Sequence, residues 1–418
     1  MDRKKGPVWD EGVAAPSFPA LTSAEVADVC VIGGGLCGVL TTYHLAKAGK
    51  NVVLLEKDQL GHGATGLTTA FVTETYDTDY ADLISILGKQ RAARVIGAHR
   101  SAIRDIQRIA KDEGIECEGE RTSAYLYATT EDEAKSLQEE RDAASALGCE
   151  IEYHAPTSLP FKHTAALEIK DQFKFHPLKF LYGVAGAARG GGARIFEHSE
   201  ARLEDGRITT PRGSVTARHV IAATYSPLEE PLSLFFKKGM YVTYILELRM
   251  PAGSLPAAMF EDMQNPYHYF RVDQKEGYDR IILGGEDHRQ DIPVDESKNY
   301  QALEEFARTT FASLPFEIVR QWKGPILEPV DGLAFVGANG DERVQYAFGF
   351  SGSGMTYSAV ASHILADAVL GKPNESHELF DAARVPGGKA LAIKGRDYVE
   401  ELVHGAAKNA LTYRKRDH

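Results

Sequence analysis

The residues Gly33-Gly34-Gly35-Leu36-Cys37-Gly38 follow a short apolar run, Asp28-Val29-Cys30-Val31-Ile32, and precede a helical pattern carrying Leu40, Tyr43 and Leu45. This is G-x-G-x-x-G between strand and helix, and the chemistry it suits is capture of a dinucleotide diphosphate. Gly33 permits the tight turn, Gly35 lets backbone N–H groups approach a pyrophosphate, and Gly38 allows close packing of helix on strand. The helix N-terminus adds positive partial charge. Glu56, at the end of a second strand over Asn51 to Leu55, can accept hydrogen bonds from a ribose 2′-hydroxyl, which disfavours a 2′-phosphate and hence NADP. Taken alone the motif leaves FAD and NAD both open, so an NAD-dependent Rossmann dehydrogenase stands as one alternative.

A second glycine-rich constellation lies far downstream. Trp322-Lys323-Gly324 is followed by Glu328-Pro329-Val330-Asp331-Gly332-Leu333-Ala334-Phe335-Val336-Gly337. Phe348-Gly349-Phe350-Ser351-Gly352-Ser353-Gly354-Met355-Thr356 then opens a helix. With the N-terminal fingerprint, this pattern resembles the D-amino-acid oxidase superfamily of FAD-dependent amine oxidoreductases, which includes glycine, sarcosine and glutamylputrescine oxidases. The resemblance implies an α/β plus α+β fold: a Rossmann-like FAD-binding domain of the glutathione-reductase type with an inserted antiparallel-sheet substrate domain. It places Gly352, Ser353, Gly354, Met355 and Thr356 against the flavin pyrimidine, where N–H groups at a helix N-terminus stabilise the negative charge of reduced flavin. It also assigns to the cofactor Leu36, Cys37, Lys57, His62, Gly63, Ala64, Thr65, Thr68, Thr69 and Ala223.

A narrower resemblance spans most of the chain. Val8-Trp9-Asp10, the stretch Gly61 to Ala70, Pro266 to Arg271, Gly284 to His288 and Arg396-Asp397-Tyr398-Val399 are similar to the FAD half of Rieske-fused members of the superfamily. The cysteines at 30, 37, 117 and 149 offer no C-x-H and C-x-x-H pair for a Rieske cluster, so electrons are expected to leave by another route. Two readings follow. One is an enzyme acting on a small-molecule amine. The other is an FAD-carrying subunit that exchanges electrons with a separate iron–sulfur or quinone-linked acceptor protein.

Three departures from the better-known relatives bear on substrate and cofactor. Pro325, Ile326 and Leu327 stand where glycine-oxidase-like sequences place a carboxylate-binding arginine. Ile282 stands near the position of the lysine that activates oxygen in monomeric sarcosine oxidases, so a dehydrogenase or slow oxidase is expected. No cysteine lies beyond 149 to form a flavin thioether, and His62 is one position away from the histidyl-flavin of dimethylglycine-dehydrogenase-like sequences; noncovalent FAD is expected.

In this fold the substrate pocket lies between flavin and the inserted sheet, where Tyr241, Tyr267, His268, Tyr269 and Arg271 are the candidates. Strand alternation puts Tyr267, Tyr269 and Arg271 on one face and His268 and Phe270 on the other. The first face is taken as the flavin side, with Arg271 as an anion anchor; the competing reading pairs Arg271 with a buried acid. His268 reads as a structural histidine. Glu286 and His288 are read either as acid–base or amine-binding groups or as a solvated turn.

The elements that must carry these residues are legible from periodicity. Helices are predicted over Asp79 to Gly114 (one long or two joined), Glu131 to Leu147, Pro177 to Ala188, Tyr300 to Leu314 and Ser353 to Leu370. Strands are predicted over Ala124 to Ala128, Ala193 to Glu197 and Tyr346 to Phe350, with a hairpin strand from Val215 followed by a buried strand His219 to Ala223. Tyr241 to Leu248, Tyr267 to Arg271 and Arg280 to Gly284 are predicted to share one antiparallel sheet. The expected organisation is an extended arm (1–26), an FAD-binding domain from 27–115, 175–225 and 320–372, a substrate domain from 116–174 and 226–319, and a tail (373–418). The 418 residues carry 47 basic and 59 acidic side chains, a net charge of −12, which argues against nucleic acid as a partner. No transmembrane segment, signal peptide or metal motif is expected, and the few unpaired cysteines point to a reduced cytoplasmic setting.

Overall fold

In the computed structural model, which describes residues 3–75, 78–154, 156, 159–204, 207–226, 238–388 and 390, the first glycine motif follows the strand Ala24–Ile32. Its last four residues, and all of the strand Val52–Leu55, are buried. Unbroken apolar burial of this kind belongs to a parallel sheet covered on both faces. The strand order is Phe335–Ala338, Val344–Phe348, Ser214–Tyr225, Ala24–Ile32, Val52–Leu55, Arg194–Phe196, parallel except for the first pair. The helices Leu36–Lys47, Pro177–Gly190 and Gly354–Leu370 belong to this unit. The segment expected as two strands from Val215 is one, Ser214–Tyr225. Its pairing with Ala24–Ile32 runs from Ser214↔Ala24 to Ala222↔Ile32, and its hairpin partner is Arg207–Thr209.

The second sheet has ten strands and is mostly antiparallel. At its centre Lys238–Pro251, Tyr278–Arg289 and His268–Lys275 lie side by side, as their β-branched and aromatic content predicts. Glu317–Pro329 pairs along Lys238–Pro251 from Lys238↔Pro329 to Arg249↔Glu317, so this sheet extends past the boundary expected at 320. Phe71–Val72 joins its other edge through Ala165–Lys174. Stacked rings of Phe260 and Phe270, 4.6 Å apart, and the edge of Phe311 on Phe270 fill the outer face.

The N-terminal arm is not a free extension. Lys4–Lys5 pairs with Glu317–Pro329, and Trp9 is fully buried, its indole Nε1 donating to the Thr68 carbonyl at 2.7 Å. Burial of a ring of this size offsets part of the cost of ordering the arm. The long helical stretch is two helices, Tyr80–Leu87 and Lys89–Asp112, broken at Gly88, whose φ of +77° no helix interior accommodates. Among the described residues no helix is long and apolar enough to cross a membrane. The tail stretch Arg396 to Val399 lies outside the described residues.

His176 caps the helix Pro177–Gly190, its Nδ1 accepting from the Lys179 N–H at 3.3 Å, with its ring edge-on to Trp9 at 5.1 Å. Burial pushes its pKa down to about 4. The folded state therefore binds fewer protons than the unfolded chain between the ordinary histidine value and about 4, and stability is lost as pH falls through that window. Replacing His176 with asparagine keeps a cap acceptor without the titration. Thermal unfolding followed from pH 7 to 4 should show this variant losing about 1–3 °C less than the wild type.

Candidate functional site

Both glycine turns open onto one cavity of about 830 Å³, within the roughly 300–1,000 Å³ typical of ligand sites. Gly33, Gly35, Leu36 and Cys37 line it from the first turn, and Gly352, Ser353, Gly354 and Met355 from the second. Glu56, Lys57, His62, Gly63, Ala64, Thr65, Thr68, Thr69 and Ala223 also contribute to the wall. Two positions of the sequence assignment do not line it. Gly38 is required inside the protein, where a Cβ would sit 2.0 Å from the Gly33 carbonyl oxygen. Thr356 is buried, its hydroxyl donating to the Thr73 carbonyl at 3.0 Å, and so ties the helix Gly354–Leu370 to the 73–75 segment.

The glycines differ in what demands them. Gly33 has φ +111°, and a Cβ there would lie 2.2 Å from the Ala223 carbonyl oxygen, so the fold itself requires glycine. Gly35 has φ −76°, open to any residue, and a Cβ there would meet only Thr65 Oγ1 at 3.3 Å. Space at Gly35 is thus kept for something approaching from the cavity. It sits at the N-terminus of Leu36–Lys47, whose first-turn donors and dipole suit a diphosphate; the Leu36 N–H is accepted by Thr65 Oγ1 at 3.0 Å. Glu56 is oriented by the Gly34 N–H on Oε2 at 2.6 Å and the Asp58 N–H on Oε1 at 2.9 Å. A carboxylate has lone pairs left after two such bonds, which fits a ribose hydroxyl. The cradle fits a dinucleotide from turn to turn.

The far wall comes from the antiparallel sheet. Thr243 and Ile245 project from Lys238–Pro251, Tyr267 and Tyr269 come from the segment leading into and along His268–Lys275, and Glu261 from Met259–Asp262. Thr243 Oγ1 and the Tyr269 hydroxyl are 3.0 Å apart, Phe71 packs edge-on to Tyr269 at 5.9 Å, and the Tyr267 hydroxyl donates to Asp287 Oδ2 at 2.9 Å. Gly284 makes room for this arrangement, since a Cβ there would lie 2.3 Å from the Tyr269 ring. Pro325, Ile326 and Leu327 complete the apolar side.

Arg271 is not an anion anchor on this wall. It is 3% exposed, with Nε and Nη2 on Asp273 Oδ1 at 3.0 and 2.7 Å and Nη1 on the carbonyls of Thr69, Ala70 and Phe175 at 3.0–3.1 Å. It shares a strand face with Tyr269, but at its position that face is covered by the Thr69-Ala70 loop and by Trp9, whose ring lies 5.3 Å from the guanidinium. Burial opposes charge on Asp273, yet Arg271, Arg280 and Lys174 hold its carboxyl well below the usual carboxylate range.

Glu286, His288 and Tyr241 also stand off the cavity. Glu286 is buried 3.3 Å from His268 Nε2, and His268 Nδ1 lies 3.1 Å from Asp262 while its ring stacks on Phe306. Burial works against a charged His268, but the two carboxylates outweigh it and lift its pKa. His288 Nδ1 is 3.2 Å from the Tyr244 hydroxyl, on the opposite face from Thr243. Tyr241 pairs with Arg289 and Ile326 near the start of its strand, short of the lining. Period-two counting from Tyr241 leads to Thr243 and Ile245, two lining residues whose types carry no chemical signal of their own. Such counting does not reach Glu261, because its four-residue strand has no readable alternation.

A family model described as DAO, FAD dependent oxidoreductase, matches residues 28–368. YhfW of Bacillus subtilis, named for a Rieske 2Fe-2S iron–sulfur centre, is 30% identical over 411 residues, covering 95% of this chain and 80% of that protein. Gamma-glutamylputrescine oxidoreductase of Escherichia coli is 25% identical over 405 residues, covering 90% and 92%. Among solved structures, glycine oxidase from Geobacillus kaustophilus matches with a TM-score of 0.72 at 19% identity, over 87% of this chain and 100% of its own. L-proline dehydrogenase from P. horikoshii matches at 0.72 and 18%, over 86% and 98%.

Proposed function

Because the chain belongs to the DAO family of FAD-dependent oxidoreductases, we propose that it oxidises a C–N bond of an amine or N-substituted amino acid, the imine product then hydrolysing to a carbonyl compound. FAD-dependence sets the NAD reading aside. Bound flavin supplies the hydride acceptor. The observation that carries the reading is the single cavity with both glycine turns on one side and a sheet wall of Thr243, Tyr267, Tyr269 and Glu261 on the other.

The side chains at the sheet end have three tasks. Phe71, Ile245, Ile326 and Leu327 exclude water from the reacting carbon. The paired hydroxyls of Thr243 and Tyr269 offer an acceptor to a substrate N–H and fix its orientation. Glu261 supplies negative charge, whereas among the described lining residues the only ammonium or guanidinium is that of Lys57, beside Glu56. An amine without a carboxylate to anchor, or with its carboxylate in solvent, suits this charge pattern.

Noncovalent FAD is supported by the thiols. Cys37 is the only one among the described lining residues, and burial pushes it up to about 12, with the Thr41 hydroxyl opposing, so it stays a poor nucleophile. All four cysteines are free and buried, in keeping with a cytoplasmic setting.

The test is anaerobic bleaching of the flavin by a panel of secondary amines, polyamines and N-methyl amino acids. At least one class should reduce it, and Tyr269→Phe should slow that reduction by about tenfold at unchanged flavin content. Should no amine bleach the flavin while a reduced iron–sulfur protein does, the chain is an electron-carrying subunit and the amine reading fails.

A further inference from the structure

Three helices that meet away from the cavity bring together residues far apart in sequence: His44 on Leu36–Lys47, Asp105 on Lys89–Asp112 and His363 on Gly354–Leu370. His363 Nε2 is 2.6 Å from Asp105 Oδ2, and His44 Nε2 is 3.7 Å from the same oxygen. The two imidazole centroids are 4.3 Å apart, and one ligand atom from each of the three residues falls within 4.8 Å of the others. His44 Nε2 is buried and has no hydrogen-bond partner. A buried polar atom left in this state calls for a physical reason.

We propose that His44, Asp105 and His363 form a binding site for a divalent transition-metal ion of the Zn²⁺ type. Two imidazole nitrogens and one carboxylate oxygen are a Zn²⁺ donor set, and the nitrogens disfavour Ca²⁺ and Mg²⁺. Bonds of about 2.0–2.1 Å in a tetrahedron put ligand atoms about 3.3 Å apart. The separations of 2.6 and 3.7 Å from Asp105 Oδ2 bracket that value, and the two imidazole nitrogens, within 4.8 Å of each other, would close by up to about 1.5 Å through side-chain rotation to complete the site. An ion there would give His44 Nε2 the partner it lacks.

The surroundings suit a three-ligand site with one open position. His363 is 41% exposed and leaves a path for water and for the ion. Arg108 pairs with Asp105 Oδ1, which orients the carboxylate and leaves Oδ2 to face the histidines. Its positive charge works against a second cation, so moderate affinity is expected. Among the described residues a second cluster, Glu152, His154 and Glu168, offers a single imidazole against two carboxylates and lies nearer solvent.

The location gives the ion a structural consequence. His44 and His363 lie about 12–14 Å along their helices from the ends that open at the cavity, at about 1.5 Å per residue. A metal here ties together the two helices whose N-termini face opposite ends of the cofactor cradle.

The experiment uses the FAD-loaded protein, treated with chelator, desalted and titrated with Zn²⁺ by calorimetry. One equivalent should bind, raising the unfolding temperature, and Co²⁺ in its place should give the difference spectrum of nitrogen–oxygen ligation. His363→Ala, at a half-exposed position, should weaken the site by roughly 100-fold while keeping its flavin. If His363→Ala does not fold, Asp105→Asn, which keeps the side-chain shape, should show the same loss. Failure of the wild type to take up Zn²⁺, or undiminished uptake by the variant, overturns the proposal.

Discussion

Gly35→Leu protein is expected to fold and to emerge from purification nearly colourless. A Cβ at position 35 meets only Thr65 Oγ1, at 3.3 Å, and φ is ordinary there, so a shift of a few tenths of an ångström in the Thr65 side chain makes room for it. A longer side chain has the cavity to enter, and it takes the space over the helix N-terminus that the diphosphate needs. Loss of those charge-assisted N–H bonds, plus the steric clash, should cost roughly 100-fold or more in FAD affinity. Flavin-to-protein ratio with far-UV circular dichroism checks it, and full flavin content at native ellipticity would place the diphosphate elsewhere. Gly38→Val provides the contrast. Its Cβ collides with the Gly33 carbonyl, so that variant should lose the fold rather than the cofactor alone.

Arg271→Ala should lower stability by about 3–5 kcal/mol and leave KM for any amine unchanged in the protein that survives. The substitution strips Asp273 Oδ1 of both its Arg271 donors inside the sheet and leaves the carbonyls of Thr69, Ala70 and Phe175 without their shared donor. Arg271→Lys should rescue little, because one ammonium cannot reproduce a planar fork that serves a carboxylate and three carbonyls at once. Denaturant unfolding alongside steady-state kinetics separates the two roles. A raised KM with unchanged stability would return Arg271 to the substrate wall.

The two variants mark different degrees of legibility. Gly33, Gly35 and Gly38 form a contiguous backbone device, and the conformations it needs are written in neighbouring residues; the same holds for the turn at Gly352 to Met355. The alternation of Tyr267 and Tyr269 is equally local and puts the two tyrosines on one face; that this face meets the cavity is set by the packing of the sheet. Arg271 obeys that alternation and still misses the cavity. What covers it is Trp9 from the arm and the Thr69-Ala70 loop, and no local pattern announces that either arrives there.

The sequence by itself determined the two glycine turns and the two kinds of sheet, because glycine conformation, helix periodicity and strand alternation act over a few residues, while the family was reached through the resemblance of its motifs. Only the tertiary structure decided which side chains line the cavity, that Glu317–Pro329 belongs to the antiparallel sheet, and that His44, Asp105 and His363 converge. Those outcomes depend on strand pairing, burial and helix packing between segments tens to hundreds of residues apart, where a side chain's neighbours are set by the whole fold.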